Sequence, residues 1–255
     1  MRLLVPLTLL VAVFAAQGVT GQDAQPLPDA QPFFEHVRAN MARSQRQQHR
    51  YAYHERRSDV HTNPFGKLGT DGESVYEVVP LPDGTAAQRR LIERDGKPVA
   101  GTTSERMRLP AVREGGSRSL DDIVRNLAFS IAGRGTFNGH PAIVVSFEPR
   151  PNVGATTRQG RIARAFKGTI WVDEMAGEVE HVEATAIDDI SFGFGLVARV
   201  GRGATVRADR RPVDGGIWLP TAVRFQGDGR AMLFRKLDVD FAVDWFDYRV
   251  VQPAP

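Results

Sequence analysis

The sequence predicts an α+β domain dominated by an antiparallel sheet, and three observations carry that prediction. Six Asx-Gly pairs punctuate the chain: Asp71-Gly72, Asp83-Gly84, Asp95-Gly96, Asn138-Gly139, Asp214-Gly215 and Asp228-Gly229. Such pairs accept the positive φ that two-residue hairpin turns demand. Between them apolar and polar residues alternate over long stretches, the period of a strand with one dry and one wet face. Only two helix-period segments interrupt the strands, with no strand–helix–strand alternation of the kind that builds a parallel sheet.

The elements follow in chain order. Met1-Arg2 is a short basic start, Leu3 to Ala16 is an apolar run broken by Pro6 and Thr8, and small residues follow through Gly18 and Gly21. This is the pattern of a secretory signal, so residues 1–21 are expected to be removed and the chain exported in soluble form to the periplasm or beyond. Residues 22–31 hold Pro26 and Pro28 and read as a leader. Pro32 then opens a helix on which Phe33, Phe34, Val37 and Met41 share one face, with Glu35, Arg38 and Arg43 off it. From about residue 50 the pattern becomes that of strands. A second helix is expected from Leu120 to Ile131, with Leu120, Ile123, Val124, Leu127 and Ile131 on its apolar face. Ser119 and Asp122 give it a capping start, with Asp121 and Asp122 near its positive end. The clearest strand is Leu237 to Trp245, where Leu237, Val239, Phe241, Val243 and Trp245 alternate with Asp238, Asp240, Ala242 and Asp244. Leu219, Thr221, Val223 and Phe225 repeat the alternation, and the two segments should pair across a turn at Asp228-Gly229. No Pro-rich or Gly/Ser-rich linker divides residues 32–250, which read as one domain before a tail at 251–255.

Composition removes several functions. A second run of 18 apolar residues is absent, so no transmembrane helix is expected. Without cysteine there is no disulfide scaffold, thiolate metal site or lipidated cysteine anchor. Arginine makes up 29 of the 33 basic residues, but acidic residues are interleaved and the net charge is only +3. A nucleic-acid partner is therefore not expected, and the groups Arg158, Arg161, Arg164 and Arg207, Arg210, Arg211 read as solvated surface. The histidines His36, His49, His54, His61, His140 and His181 share no spacing that would converge on a metal. Gly193 to Ala198 matches the letters of a dinucleotide-binding turn, but no helix pattern follows, so it reads as a glycine-relieved bend. Asp238, Asp240 and Asp244 lie on the wet side of a strand, where unpaired carboxylates serve solubility rather than catalysis. No catalytic residue, metal or cofactor is expected.

An amphipathic helix running into Tyr51-Ala52-Tyr53-His54-Glu55-Arg56-Arg57 is followed by a middle helix and then by Gly168-Thr169-Ile170-Trp171-Val172-Asp173. Glu178-Val179-Glu180-His181-Val182-Glu183-Ala184, Gly216-Ile217-Trp218-Leu219-Pro220-Thr221 and a long final hairpin complete the order. This arrangement resembles the periplasmic lipoprotein-carrier superfamily, the LolA/LolB-like proteins. The resemblance implies a strongly curved, incompletely closed antiparallel half-barrel with helices in its concave face, and a non-enzymatic role in binding lipid or lipoprotein.

On that resemblance the expected ligand-binding residues are Leu120, Ile123, Val124 and Leu127 on the middle helix, with Ile170, Leu219, Val223 and Phe241 on the sheet. The expected cargo is the acyl chain of a lipid or lipoprotein, carried by a monomer that has an inner- or outer-membrane protein as a further partner. The middle helix would act as a lid held by apolar contacts alone. The alternative is an envelope sensor or protein-interaction module whose interior is a filled core; an unrecognised hydrolase ranks below both. N-terminal sequencing of exported protein is expected to begin at residue 19 or 22, whereas recovery of Met1 would contradict the signal reading.

Overall fold

The structure, a computed structural model, describes residues 26–60, 62–63, 66–67, 72–82, 84–101, 104–109, 118–192, 198–231 and 235–251. The expected signal at 1–21, the dinucleotide-like letters at 193–197, Asp71 and Asp83 of two turn pairs, and residues 252–255 of the tail lie outside them. Helix α1 (Ala30–Gln48) leads into β1 (Tyr51–Val60), followed by β2 (Thr62–Asn63), β3 (Gly66–Lys67), β4 (Glu73–Pro80), β5 (Ala86–Arg94), β6 (Lys97–Pro98) and β7 (Glu105–Arg108). Helix α2 (Arg118–Asn126) runs directly into β8 (Leu127–Phe137), then β9 (His140–Pro149), helix α3 (Arg158–Ala163), β10 (Phe166–Asp173) and β11 (Val179–Ala186). The remaining strands are β12 (Ile190–Phe192), β13 (Ala198–Val200), β14 (Thr205–Val213), β15 (Ile217–Ala231) and β16 (Arg235–Val250).

Among the described residues, fourteen strands join in one sheet whose main path is β6-β5-β4-β1-β16-β15-β14-β11-β10-β9-β8. Its pairings are antiparallel and the path does not close, with β8 at one edge and β6 and β7 beyond β5 at the other. The helices lie in the concave face of this half-barrel. Phe33, Phe34, Val37 and Met41 of α1 pack against Ile143, Val145, Val172 and Val179 of β9–β11. Ile123 of α2 and Ile162 of α3 pack beside Leu127, Phe147, Phe166 and Ala186. A third cluster, Tyr53, Val78 and Ala87 with Trp245 and Tyr248, belongs to the opposite half of the sheet.

Two of the Asx-Gly pairs form tight turns with both residues in the left-handed region: Asp95-Gly96 (φ 51° and 72°) between β5 and β6, and Asn138-Gly139 (φ 47° and 82°) between β8 and β9. Asp228-Gly229 is different. Asp228 pairs with Asp238 and Gly229 with Leu237, so this pair is strand and not the expected turn; the pairing continues to Ala231 and Arg235, and residues 232–234 lie outside the described ones. The segment stays extended because β13 bonds its other edge, with Val200 opposite Gly229 and Ala198 opposite Ala231.

The middle helix is shorter than its apolar spacing suggests. It stops at Asn126, and Leu127 to Ile131 form the start of β8, paired with Val145 to Pro149 of β9. Leu127, Phe129 and Ile131 satisfy a period of two as well as Leu127 and Ile131 satisfy i, i+4, and the ladder to β9 decides between them. The helix also starts earlier, so Ser119 lies within it rather than at its cap. Helix α1 begins at Ala30, two residues before Pro32, which sits in a first turn that needs no donor from it.

On β16, Val243 is buried (4% exposed) while Phe241 and Trp245 are half-buried; the side chains of Leu237 and Val239 lie outside the described ones. A bulge at Asp247 (φ 53°) interrupts the alternation, so that Trp245 and Tyr248 pack into the same cluster three residues apart. Asp244 is not the unpaired surface acid expected, since it accepts a hydrogen bond from Arg224 at 2.5 Å. Val243→Asp places an unpaired charge in the core and should destabilise the protein by roughly 3 kcal/mol or more in chemical denaturation, whereas Asp240→Ser on the exposed side should change little. Equal effects would mean that the register is wrong.

Candidate functional site

The concave-face helices are fastened by polar groups, while their apolar stripes are not fully buried. On α1 the buried residues are Asn40, Ala42 and Ser44. The Asn40 side-chain amide donates to the carbonyls of Gly177 (2.9 Å) and Ala176 (3.1 Å), and the Ser44 hydroxyl donates to Glu178 Oε1 (2.9 Å). Glu178 is fully buried and accepts from Arg210 Nη1 (3.1 Å), which also donates to the Val179 carbonyl; Arg210 Nη2 donates to the Trp218 carbonyl (2.7 Å). Desolvation pulls the Arg210 guanidinium below the ordinary arginine value, and the charge of Glu178 opposes that shift. Arg210 is therefore an interior residue and not solvated surface, a role that its place in the Arg207, Arg210, Arg211 group gave no sign of.

Helix α2 is held in the same way. Asp122 and Asn126 are its buried residues, and the Asp122 carboxylate accepts from the backbone N–H and hydroxyl of Thr157 (2.7 and 2.8 Å) and from the N–H and hydroxyl of Thr156. Arg125 is a further donor to it. Thr157 is the N-cap of α3, its hydroxyl accepting from Gly160 N–H, so one carboxylate ties α2 to the start of α3. A Cβ at Gly160 would collide with this carboxylate, and only glycine leaves the room. Desolvation pushes the Asp122 acid upward, but the donors of Thr157 and Thr156 together outweigh it and hold the group well below the usual carboxylate range. The expected lid held by apolar contacts alone is thus corrected: α2 is pinned by a charge-assisted clasp.

With the helices so placed, a cavity of about 680 Å³ lies between them and the sheet. Phe33, Phe34, Val37 and Met41 of α1, Leu120, Ile123 and Val124 of α2, and Ile162 and Ala163 of α3 form one wall. Leu127, Phe129, Val145, Phe147, Ile170 and Val182 are among the sheet residues of the other. Of the residues expected from the sequence, Leu120, Ile123, Val124, Leu127 and Ile170 line this space, Leu127 from β8 and not from a helix. Leu219, Val223 and Phe241 do not line it. Leu219 is 1% exposed within the sheet, Val223 pairs with Val243, and Phe241 pairs with Phe225 and lies beneath the Arg57 guanidinium, 5.2 Å from its ring centre. Helix α3, with two arginines and a glycine in six residues, has no apolar period by which the sequence could announce it.

Among the described residues no group of three or more His, Cys, Asp or Glu side chains could hold a metal ion. No helix of the described residues is long and apolar enough to cross a membrane.

No protein-family model and no curated protein matches the chain. Among solved structures it is similar to a LolA superfamily protein from Nitrosomonas europaea, at 11% identity over 89% of this chain and 95% of that one, with a TM-score of 0.36. It is similar also to a DUF1329 family protein from Desulfovibrio piger, at 14% identity over 84% of this chain and 92% of that one, TM-score 0.31. The third likeness is to the Pseudomonas aeruginosa MucA/MucB complex, at 10% identity over 85% of this chain and 93% of that one, TM-score 0.26. At these identities and scores none of the likenesses assigns an activity to this chain.

The Asp122 clasp has a pH signature. Because the folded-state value is depressed, its contribution is complete above the ordinary value of 3.8 and is withdrawn as pH falls below that toward the folded value. Asp122→Asn should therefore lower the melting temperature at neutral pH, and its difference from wild type should shrink in strong acid. A difference that is constant down to the acid limit would remove the clasp from the stability of the fold.

Proposed function

We propose that this chain is a non-enzymatic binding protein of the cell envelope that takes the acyl chain of a lipid or lipoprotein into the cavity between helices and sheet. One observation supports this above others: the apolar stripes of α1 and α2 are half-buried around a space of about 680 Å³, while the same helices are fixed by buried polar contacts. In a filled core those stripes would carry the packing and the polar contacts would be dispensable. The volume falls in the range of roughly 300–1,000 Å³ typical of small-molecule sites. The signal-like start of the sequence supports export to the envelope.

The energetics favour reversible capture. Each methylene moved from water to the wall contributes about 0.8 kcal/mol, so a long alkyl chain gains on the order of 10 kcal/mol before losses. Association and ordering cost about 4–15 kcal/mol. Helices already fixed by Asp122 and Glu178 lose little further freedom on binding, which lowers that cost. No bond rearrangement is required of the protein, and no catalytic group is invoked.

Titration of unbranched alkanols and fatty acids of increasing length should give affinity that rises about threefold to fourfold per methylene and levels off when the cavity is full. Ile170→Asp, in the wall, should weaken every chain length. A response that is flat with length would favour the other reading, a protein-interaction module with a membrane protein as partner.

A further inference from the structure

The polar residues of the cavity wall are not scattered. Among the described residues Glu35, Arg38 and Gln159 are its three polar members, and all three are exposed, whereas its apolar members are half-buried or buried. They mark the mouth, between one turn of α1 and the start of α3. Among the described residues Arg38 is the single cation of this wall. Its Nη2 donates to Asp121 Oδ1 of α2 at 2.7 Å, and both side chains are about half exposed (49% and 47%). An ion pair so exposed contributes little to stability and exchanges readily. The Glu35 carboxylate accepts from Gln31 within the helix at 3.1 Å.

We infer that Arg38 is a head-group subsite, and that the cavity takes an alkyl amphiphile with an anionic head. This rests on the proposed binding of alkyl chains and adds the polar end of the ligand. A tail inserted between α1, α2 and the sheet leaves its head beside Arg38. A carboxylate or phosphate there can take two guanidinium N–H groups in parallel, where Asp121 takes one, and the displaced Asp121 turns to water. Asp121 already has Arg38, whereas the donor to Glu35 is the neutral Gln31, so a cationic head would compete for Glu35 and the ammonium probe below tests that alternative. The volume of about 680 Å³ is ample for an alkyl chain.

The test uses one tail with four heads, below micelle concentration: laurate, dodecyl phosphate, dodecanol and dodecyltrimethylammonium, titrated by calorimetry. Wild type should bind one or both anions roughly threefold to tenfold more tightly than dodecanol, and the ammonium more weakly than either. The better anion identifies the head as carboxylate or phosphate. Arg38→Met should bring the anions to the affinity that dodecanol has for the same variant, and Asp121→Asn should strengthen anion binding; melting curves establish that both variants fold. A preference for anions that survives Arg38→Met, or equal binding of all four heads, would overturn the subsite and leave chain binding standing. Failure of dodecanol and every other probe to bind would overturn chain binding itself, and the subsite with it.

Discussion

A carboxylate removed from water must find a full set of donors or become neutral, and the placement of the concave-face helices depends on that demand being met twice. Asp122 collects its donors from Thr156 and Thr157, and Glu178 collects its own from Ser44 and Arg210. In each case these donors belong to a different segment from the acid, with Arg125 adding one to Asp122 from its own helix, so satisfying the charge also fixes where two segments meet. Removing one partner would strand the other, a far larger penalty than the loss of an equivalent apolar contact. Orientation is thereby separated from apolar burial.

That separation explains why the interior is hollow. A helix seated only by its apolar stripe sinks until the stripe is covered, because each exposed methylene is a reason to move closer. Here the stop is set by the Asn40 and Ser44 contacts to 176–178 on one helix and by the Thr156-Thr157 contacts on the other, before Phe33, Phe34, Ile123 and Val124 are covered. The sheet contributes by shape. Gly168 stands between Phe166 and Ile170 on β10, where a side chain would run into the Glu183 carbonyl, so two strands approach closely at that point.

The sheet was the legible part of the sequence, because its signal is repeated in every strand: apolar alternation, and Asx-Gly where the chain reverses at Asn138 and Asp95. Asp228-Gly229 misled because a turn-forming pair can also extend when both of its edges are bonded, and edge partners such as Ala198 to Val200 lie far off in sequence. The Leu120–Ile131 stripe misled because two periods overlap at Leu127 and Ile131. In the cavity, the helix stripes and Ile170 could be read from their spacing. Leu219, Val223 and Phe241 share the same alternation but sit further along the sheet, and alternation assigns a face without giving a position across it. Least legible were the polar anchors. A buried Asp or Arg has the same letter as an exposed one, and the donors to Asp122 come from Thr156 and Thr157 at the start of a short helix, 34 and 35 residues downstream.

The two ends of the domain lie side by side in the middle of the sheet. Tyr51 of the first strand pairs with Val250 of the last, Val60 with Asp240, and the Val251 amide closes on the Arg50 carbonyl. A chain delivered N-terminus first therefore presents β1 with only one of its two neighbours until residues 235–250 have emerged. Closing so long a loop is slow, and ladders formed across great sequence separation belong to the slowest class of folding events. During that interval β1 is an unprotected edge, with Tyr51 and Tyr53 still lacking Tyr248. Successful folding thus hinges on the C-terminal strand as a keystone: loss of the last sixteen-residue strand would split the sheet at its centre instead of trimming it at a margin.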